Sequence, residues 1–207
     1  MAQYFEIHPE NPQLRLIRQA VEIVRSGGVI VYPTDSSYAL GCHIGDKHAI
    51  DRIRQIRRLD EDHNFTLVCR DISEVSAFVK IENDTYRLLK AYTPGPYTFL
   101  LAATREVPRR LQHQKRKTIG LRLPDHTVAR ALLGELGEPL MSSTLWLPQD
   151  QHPQSDPREI RAALEHQVEL VIDGGPCGLE PTTVVDLVDG VPVVVRRGKG
   201  DVGPFES

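Results

Sequence analysis

Short apolar runs alternate with amphipathic segments along almost the whole chain, and this alternation limits the fold more than any other feature. The strand-like runs cover residues 29–32, 65–69, 97–102, 118–123, 139–143, 168–173, 182–188 and 191–196. Apolar residues recur at helical spacing in 12–25, 47–59, 71–79, 82–92, 126–136 and 155–167. Asp189-Gly190, between the last two runs, is typical of a β-hairpin. The pattern predicts an α/β protein with a mixed sheet.

A chain of 207 residues is of a size for one large domain, and we expect a single domain whose core spans about residues 8–200. The segment 147–157, rich in proline and glutamine, is the best candidate for a mobile loop. The N-terminus lacks the features of a secretory signal, and no apolar run could span a bilayer. We therefore expect a cytoplasmic protein without membrane contact.

The three cysteines, Cys42, Cys69 and Cys177, are widely separated and form no CxxC pair. This usage is typical of reduced cysteines in the cytoplasm, and we expect no metal ion bound by the protein itself. The chain also lacks a P-loop, a GxGxxG motif, a GxSxG elbow and an HExxH motif. The sequence thus predicts neither of the two common phosphate-binding loops, and it identifies no catalytic residue.

Positive charge is concentrated locally, although the net charge of the chain is -3. Residues 105–122 hold seven bases and one acid, namely Arg105, Arg109, Arg110, Lys115, Arg116, Lys117 and Arg122 against Glu106. A second basic group lies at Arg52, Arg54, Arg57 and Arg58. Such groups are either solvated surface or binding sites for phosphate, which guanidinium groups bind in pairs. Likewise, the hydroxyls and carboxylate of residues 34–37 after the first run are either a ligand site or turn-forming groups.

Six separated stretches carry a more specific signal. They are VYPTD at 31–35 with YALG at 38–41, TPGPYT at 93–98, GLRLPDH at 120–126, PLMSST at 139–144, PTTVVD at 181–186 and RRG at 196–198. From about residue 12 to 200 the chain resembles the YrdC/YciO family, the threonylcarbamoyl-AMP synthase superfamily, and most closely its YciO branch. The resemblance implies a YrdC-like fold, in which a twisted open sheet forms a basic concave face.

The synthases of this family convert L-threonine, bicarbonate and ATP, with Mg2+, into threonylcarbamoyl-AMP and pyrophosphate for a tRNA modification. Family members are also described as binding double-stranded RNA and nucleotides. The resemblance implies that the substrate is bound by Thr34, Arg122 and Thr182. The nucleotide would be bound by Arg57, Arg58, Thr118, Ser142, Thr144 and Arg196. For RNA, double-stranded or tRNA, the charge pattern suggests Arg109, Arg110, Lys115, Arg116 and Lys117.

The chain departs from the synthase pattern at two motifs. Lys-x-Arg becomes Arg57-Arg58-Leu59, and Ser-x-Asn becomes Thr144-Leu145-Trp146. A charge and an amide are lost, although Arg58 could replace part of the charge and Trp146 could either stack on a base or pack in the core. We therefore expect a protein that binds RNA and nucleotide with weak or diverted catalysis. An active synthase and a non-catalytic nucleotide sensor are the alternatives, and restoring the three synthase residues should raise threonylcarbamoyl-AMP formation.

Overall fold

The structure, a computed structural model, describes residues 1–60 and 63–206. Its six α-helices are α1 (Leu14–Arg25), α2 (Lys47–Arg57), α3 (Ile72–Phe78), α4 (Asn83–Tyr92), α5 (Thr127–Leu136) and α6 (Pro157–Leu164). The strands β1 to β5 are Gln3–Glu6, Ile30–Tyr32, Ala39–His43, Thr66–Val68 and Tyr97–Ala102. The strands β6 to β10 are Thr118–Arg122, Leu140–Thr144, Leu170–Asp173, Thr183–Asp186 and Val193–Arg196.

All of these strands belong to one sheet in the order β1-β8-β2-β3-β7-β4-β6-β5-β9-β10. The pairs β1·β8, β2·β8, β4·β6 and β5·β9 are parallel, and the other neighbouring pairs are antiparallel. The prediction of an α/β fold with a mixed sheet is confirmed. The predicted hairpin is also present, since Val193 of β10 pairs with Asp186 of β9.

Helices cover both faces of the sheet because the central strands are apolar on both sides. Within β2, Ile30 packs into one core cluster, together with residues of α1 and α5. Val31 points the other way, into the cluster that contains residues of α2, α3, α4 and α6. Local signals set several helix ends: Asp46 accepts a hydrogen bond from the Ala49 amide at 2.9 Å at the start of α2.

Two strands had no sequence prediction, β1 and β3. The β3 sequence, ALGCH, contains no β-branched residue, so its local preference for strand is low. It forms because both neighbours, β2 and β7, pair with it. Gly41 is required there, since a Cβ atom would lie 2.6 Å from Leu140 Cδ2 and 2.9 Å from Tyr32 Cε1.

The packed part of the chain is wider than the predicted range of 8–200. Strand β1 pairs with β8, and Ile7 beside it is buried. At the other end Phe205 is buried, with ring centroids 4.9 Å from Tyr92, 5.6 Å from Tyr97 and 6.1 Å from Phe99. Within the described ranges, no helix is both long and apolar enough to cross a membrane.

Phe205→Ala should lower the free energy of unfolding by about 3 to 5 kcal/mol, because it removes a buried aromatic side chain and leaves a cavity. Urea denaturation of the full chain measures this change. Leu179→Ala is the matched control, because Leu179 is exposed and should cost less than about 0.5 kcal/mol. Equal losses in the two variants would show that the C-terminal segment does not complete the core.

Candidate functional site

A cavity of about 400 Å³ opens over the second half of the sheet. Its lining residues come from the end of α2, from the loop that follows, and from strands β4, β5, β7, β9 and β10 or the segments beside them. They are Arg57, Asp60, His63, Asn64, Thr66, Thr98, Leu100, Ser142, Ser143, Thr144, Trp146, Thr182, Val184, Val195 and Arg196.

Small side chains on β4, β6 and β7 leave room for the cavity. Ser142, Thr66, Gly120 and Leu100 occupy neighbouring strands in register, so they face the same side of the sheet. A Cβ atom at Gly120 would lie 2.8 Å from Thr66 Oγ1 and 3.0 Å from the Phe65 carbonyl oxygen. Glycine at this position therefore keeps the space above β6 open.

Arg57 closes one side of the cavity. Its Nε donates to the carbonyl of Trp146 at 2.7 Å. Its Nη1 donates to the Ser143 hydroxyl at 2.7 Å and to the Thr144 carbonyl. Burial of the guanidinium, followed by the charge of Arg196, lowers the pKa of Arg57 to about 10.

Arg196 lies opposite, on the edge strand β10. Its Nη2 donates to the carbonyl of Thr182 at 2.8 Å and to the Thr182 hydroxyl at 3.1 Å, and that hydroxyl is 2.8 Å from the hydroxyl of Thr98. Although Arg196 keeps solvent contact, partial burial of its guanidinium and then the charge of Arg122 lower its pKa. Among the residues that the structure describes, no carboxylate lies within 4 Å of the Arg57 or Arg196 guanidinium. Among the described residues, neither guanidinium therefore forms an ion pair, although the Asp60 carboxylate also lines the cavity.

Arg122 and Thr34 form a separate buried network. Arg122 Nη2 donates to the hydroxyls of Thr34 and Ser36, both at 3.0 Å, and to the carboxylate of Asp35. Neither Arg122 nor Thr34 lines the cavity, although the charge of Arg122 acts on Arg196. In the described part of the chain, Arg122 Nε is buried and has no hydrogen-bond partner. The arginine that we expected to bind a substrate carboxylate thus already binds the carboxylate of Asp35.

The structure brings some of the predicted site residues together. Five of the nine residues predicted for substrate or nucleotide line the cavity, namely Arg57, Ser142, Thr144, Thr182 and Arg196, and Trp146 lies beside them. Arg58 does not line the cavity, because it has a left-handed backbone (φ 49°) just after α2 and its side chain is exposed. It therefore cannot replace the charge lost at Leu59, which is half-buried against the core. Thr118 is fully buried and donates a hydrogen bond to Asn64 Oδ1 at 3.3 Å.

The segment 105–117, here called the basic loop, lies outside the cavity lining. The side chains of Arg105, Arg109, Arg110, Lys115, Arg116 and Lys117 are exposed. Arg116 forms an ion pair with Asp186 at 2.7 Å, so one of these charges is offset within the chain.

Trp146 also lines the cavity, and the segment 147–157 follows it. Trp146 is half-buried, and its indole Nε1 donates to the carbonyl of Asp150 at 3.1 Å. The predicted mobile loop 147–157 is tied at several points: the Gln154 amide donates to the Leu145 carbonyl at 2.9 Å, and Leu147 is buried. The indole therefore has a defined position in the cavity lining.

Several cavity residues were absent from the sequence predictions, namely Asp60, His63, Asn64, Thr66, Thr98 and Ser143. Thr66 and Thr98 carry a recognisable signal, because each is a hydroxyl inside an otherwise apolar strand. His63 and Asn64 lie in a loop and carry none. Burial first, and then the charge of Arg57, lower the pKa of His63 to about 4.

The low pKa of His63 makes stability depend on pH. The unfolded chain binds a proton at this histidine below about pH 6.5, whereas the folded chain resists protonation down to about pH 4. The stability that the neutral side chain contributes is therefore present above pH 6.5 and is lost as the pH falls toward 4. Urea titrations across this range should show a smaller loss for His63→Gln than for the wild type. Parallel curves would contradict the assignment.

The comparisons with known proteins agree with this architecture. The Sua5/YciO/YrdC family model, described as telomere recombination, matches residues 22–198. The crystal structure of E. coli YciO is 60% identical, with a TM-score of 0.96 over 99% of this chain and 100% of that one. A protein of Chromobacterium violaceum named threonylcarbamoyl-AMP synthase is 34% identical over 88% of this chain and 94% of its own length.

A more distant structure extends the likeness. Sua5 of Pyrococcus abyssi, crystallised with L-threonine, is 25% identical and superposes with a TM-score of 0.86 over 94% of this chain. This chain covers 57% of that longer protein. Together with the family model and the two nearer relatives, these findings confirm the resemblance that the six motifs carry: the chain belongs to the Sua5/YciO/YrdC family.

Proposed function

We propose that the protein binds a nucleotide in the cavity, with phosphate between Arg57 and Arg196. The observation that carries this proposal is the pair of guanidinium groups facing one cavity with no carboxylate partner among the described residues. Each guanidinium keeps nitrogen donors beyond those that the described residues use, and such groups suit phosphate oxygens. A bound phosphate would supply negative charge to both guanidinium groups.

The rest of the lining suits the nucleoside. The indole of Trp146 offers a flat surface on which a base could stack, and Leu100, Val184 and Val195 add apolar contact. A volume of about 400 Å³ lies within the range of small-molecule sites. Asp60 adds a carboxylate to the lining, and it would hold the Mg2+ that accompanies ATP.

The family relationship favours a reaction of the synthase type, in slowed or diverted form. L-threonine, bicarbonate and ATP would give threonylcarbamoyl-AMP, pyrophosphate and water. The amino-acid carboxylate would reach Arg122 only if that buried side chain gained access to the cavity, which it does not line in this structure. It would share that guanidinium with Asp35, which weakens the attraction for the substrate.

The altered motif at residues 57–59 would make the reaction slow. Leu59 packs against the core and Arg58 lies outside the cavity lining, so no guanidinium takes the place of the synthase arginine. Losing one positioned donor to a transition state commonly costs about 10² to 10³ in rate. Binding would survive this loss, because Arg57 and Arg196 remain.

Arg196→Ala should weaken ATP binding by about 10- to 100-fold, since a hydrogen bond to a charged group contributes about 1.5 to 3 kcal/mol. Isothermal titration calorimetry with ATP and Mg2+ measures the change. Arg197→Ala is the matched control: Arg197 is the next residue, is exposed and pairs with Glu206. Equal affinities in the two variants would rule out the phosphate site.

Repeating the wild-type titration with L-threonine present tests the synthase reaction, for which ATP and threonine should bind cooperatively.

A second function, binding of double-stranded RNA, is favoured by the basic loop. Its side chains are exposed, and within the described residues Arg116 alone among its bases has a carboxylate partner. Arginine and lysine side chains without a carboxylate partner can contact successive phosphates of an RNA strand. Double-stranded RNA is recognised mainly by its shape and its backbone. Such binding would need little sequence preference.

Reversing four charges of the basic loop (Arg109→Glu, Arg110→Glu, Lys115→Glu and Lys117→Glu) should abolish RNA binding in filter or polarisation assays. The wild type should bind with an affinity that falls steeply with salt, because phosphate contacts release counter-ions. A control variant with the same change in net charge reverses four exposed bases elsewhere: Arg15, Lys80, Arg87 and Lys90. RNA binding by the loop variant at wild-type strength would exclude this function.

A further inference from the structure

Asn64 brings an amide into the cavity that the sequence motifs do not account for. Its side chain lines the cavity beside the residues discussed above. Its Oδ1 accepts a hydrogen bond from the Thr118 hydroxyl at 3.3 Å. In the described part of the chain, its Nδ2 has no hydrogen-bond partner. With its oxygen held on one side, the amide therefore has two N–H donors that no described residue uses.

The backbone around Asn64 is fixed. The next residue, Phe65, is fully buried, and its carbonyl accepts a hydrogen bond from the Gly120 amide at 2.8 Å. Strand β4 starts immediately after, and Thr66 is in register with Gly120 on the cavity floor. Pairing of β4 with β6 thus sets the position from which the Asn64 side chain reaches the cavity.

Thr118 can act on a ligand only through Asn64. It is 0% exposed and does not line the cavity, so its hydroxyl has no access to a bound molecule. In the observed orientation of the amide, this hydroxyl donates to Oδ1 and holds the side chain in place. Thr118 is therefore a positioning residue, and Asn64 is the group that meets the ligand.

The chemistry of the lining indicates which part of a nucleotide the amide would contact. Arg57 and Arg196 are cations and suit phosphate oxygens, whereas an amide NH2 is a neutral donor that suits ring nitrogens, carbonyl oxygens or sugar hydroxyls. The synthase pattern has an amide at the position of Trp146, and this chain has lost it there. Asn64 supplies an amide to the same cavity from the loop before β4.

We propose that Asn64 Nδ2 donates a hydrogen bond to the base or ribose of the bound nucleotide and thereby determines the preference for nucleotides over other polyphosphates. This inference rests on the proposed nucleotide site. The two proposals can be tested separately, because Asn64 would contact the nucleoside whereas Arg57 and Arg196 would contact the phosphates.

The test compares ATP with inorganic triphosphate, a probe that has the phosphates but no nucleoside. Displacement of a fluorescent nucleotide from the full chain gives both affinities. Asn64→Leu removes the amide but keeps a side chain of similar size. It should weaken ATP binding by about tenfold, as expected for the loss of one hydrogen bond, and leave the affinity for triphosphate unchanged. Equal weakening of both ligands, or no change for ATP, would overturn the assignment. Failure of triphosphate to bind the wild type would count against the phosphate site instead.

A double-mutant cycle tests the role of Thr118. Thr118→Val removes the hydroxyl and should weaken ATP binding by about threefold without changing triphosphate binding. Thr118→Ser keeps a hydroxyl and should bind ATP like the wild type. Added to Asn64→Leu, Thr118→Val should have no further effect, because the group that it orients is already absent. Additive losses would show that Thr118 acts independently of Asn64. Circular dichroism and urea denaturation of each variant separate these effects from loss of folding.

Discussion

The guanidinium of Arg57 joins the end of α2 to the segment that leaves β7, and the rest of the site depends on this connection. Its hydrogen bonds to Ser143, Thr144 and Trp146 hold that segment against the loop after α2. Carbonyl oxygens and a hydroxyl offset part of the cost of removing the cation from water, but they carry no full negative charge. Arg196 lines the same cavity, so two guanidinium groups are available there to an anion.

The sheet supplies the space for that anion by placing small and polar residues where a core would normally be filled. Gly120 leaves the floor open between Thr66 and Leu100, and the Thr98 and Thr182 hydroxyls bond to each other rather than remain unpaired. In a protein without a ligand, larger apolar side chains at these positions would fill the space and stabilise the fold. Their composition is physically reasonable if the cavity is occupied during function.

The sequence predicted the fold class, the helices and most strands, because periodicity reports which face of each segment is buried. It failed at β3, where pairing with β2 and β7 overrides a weak local preference. Family motifs identified Arg57 and Arg196, but not the exposure of Arg58 or the burial of Thr118, which depend on helix termination and strand register. Asn64 could not be predicted, since a loop residue reaches the cavity only through long-range pairing of β4 with β6.

A crystal structure of the protein with ATP or a non-hydrolysable analogue tests the central claim most directly. The account predicts a phosphate group with oxygen atoms within hydrogen-bond distance of both Arg57 and Arg196. Density for the nucleotide at the basic loop, or in the cavity with its phosphates away from both guanidinium groups, would contradict it.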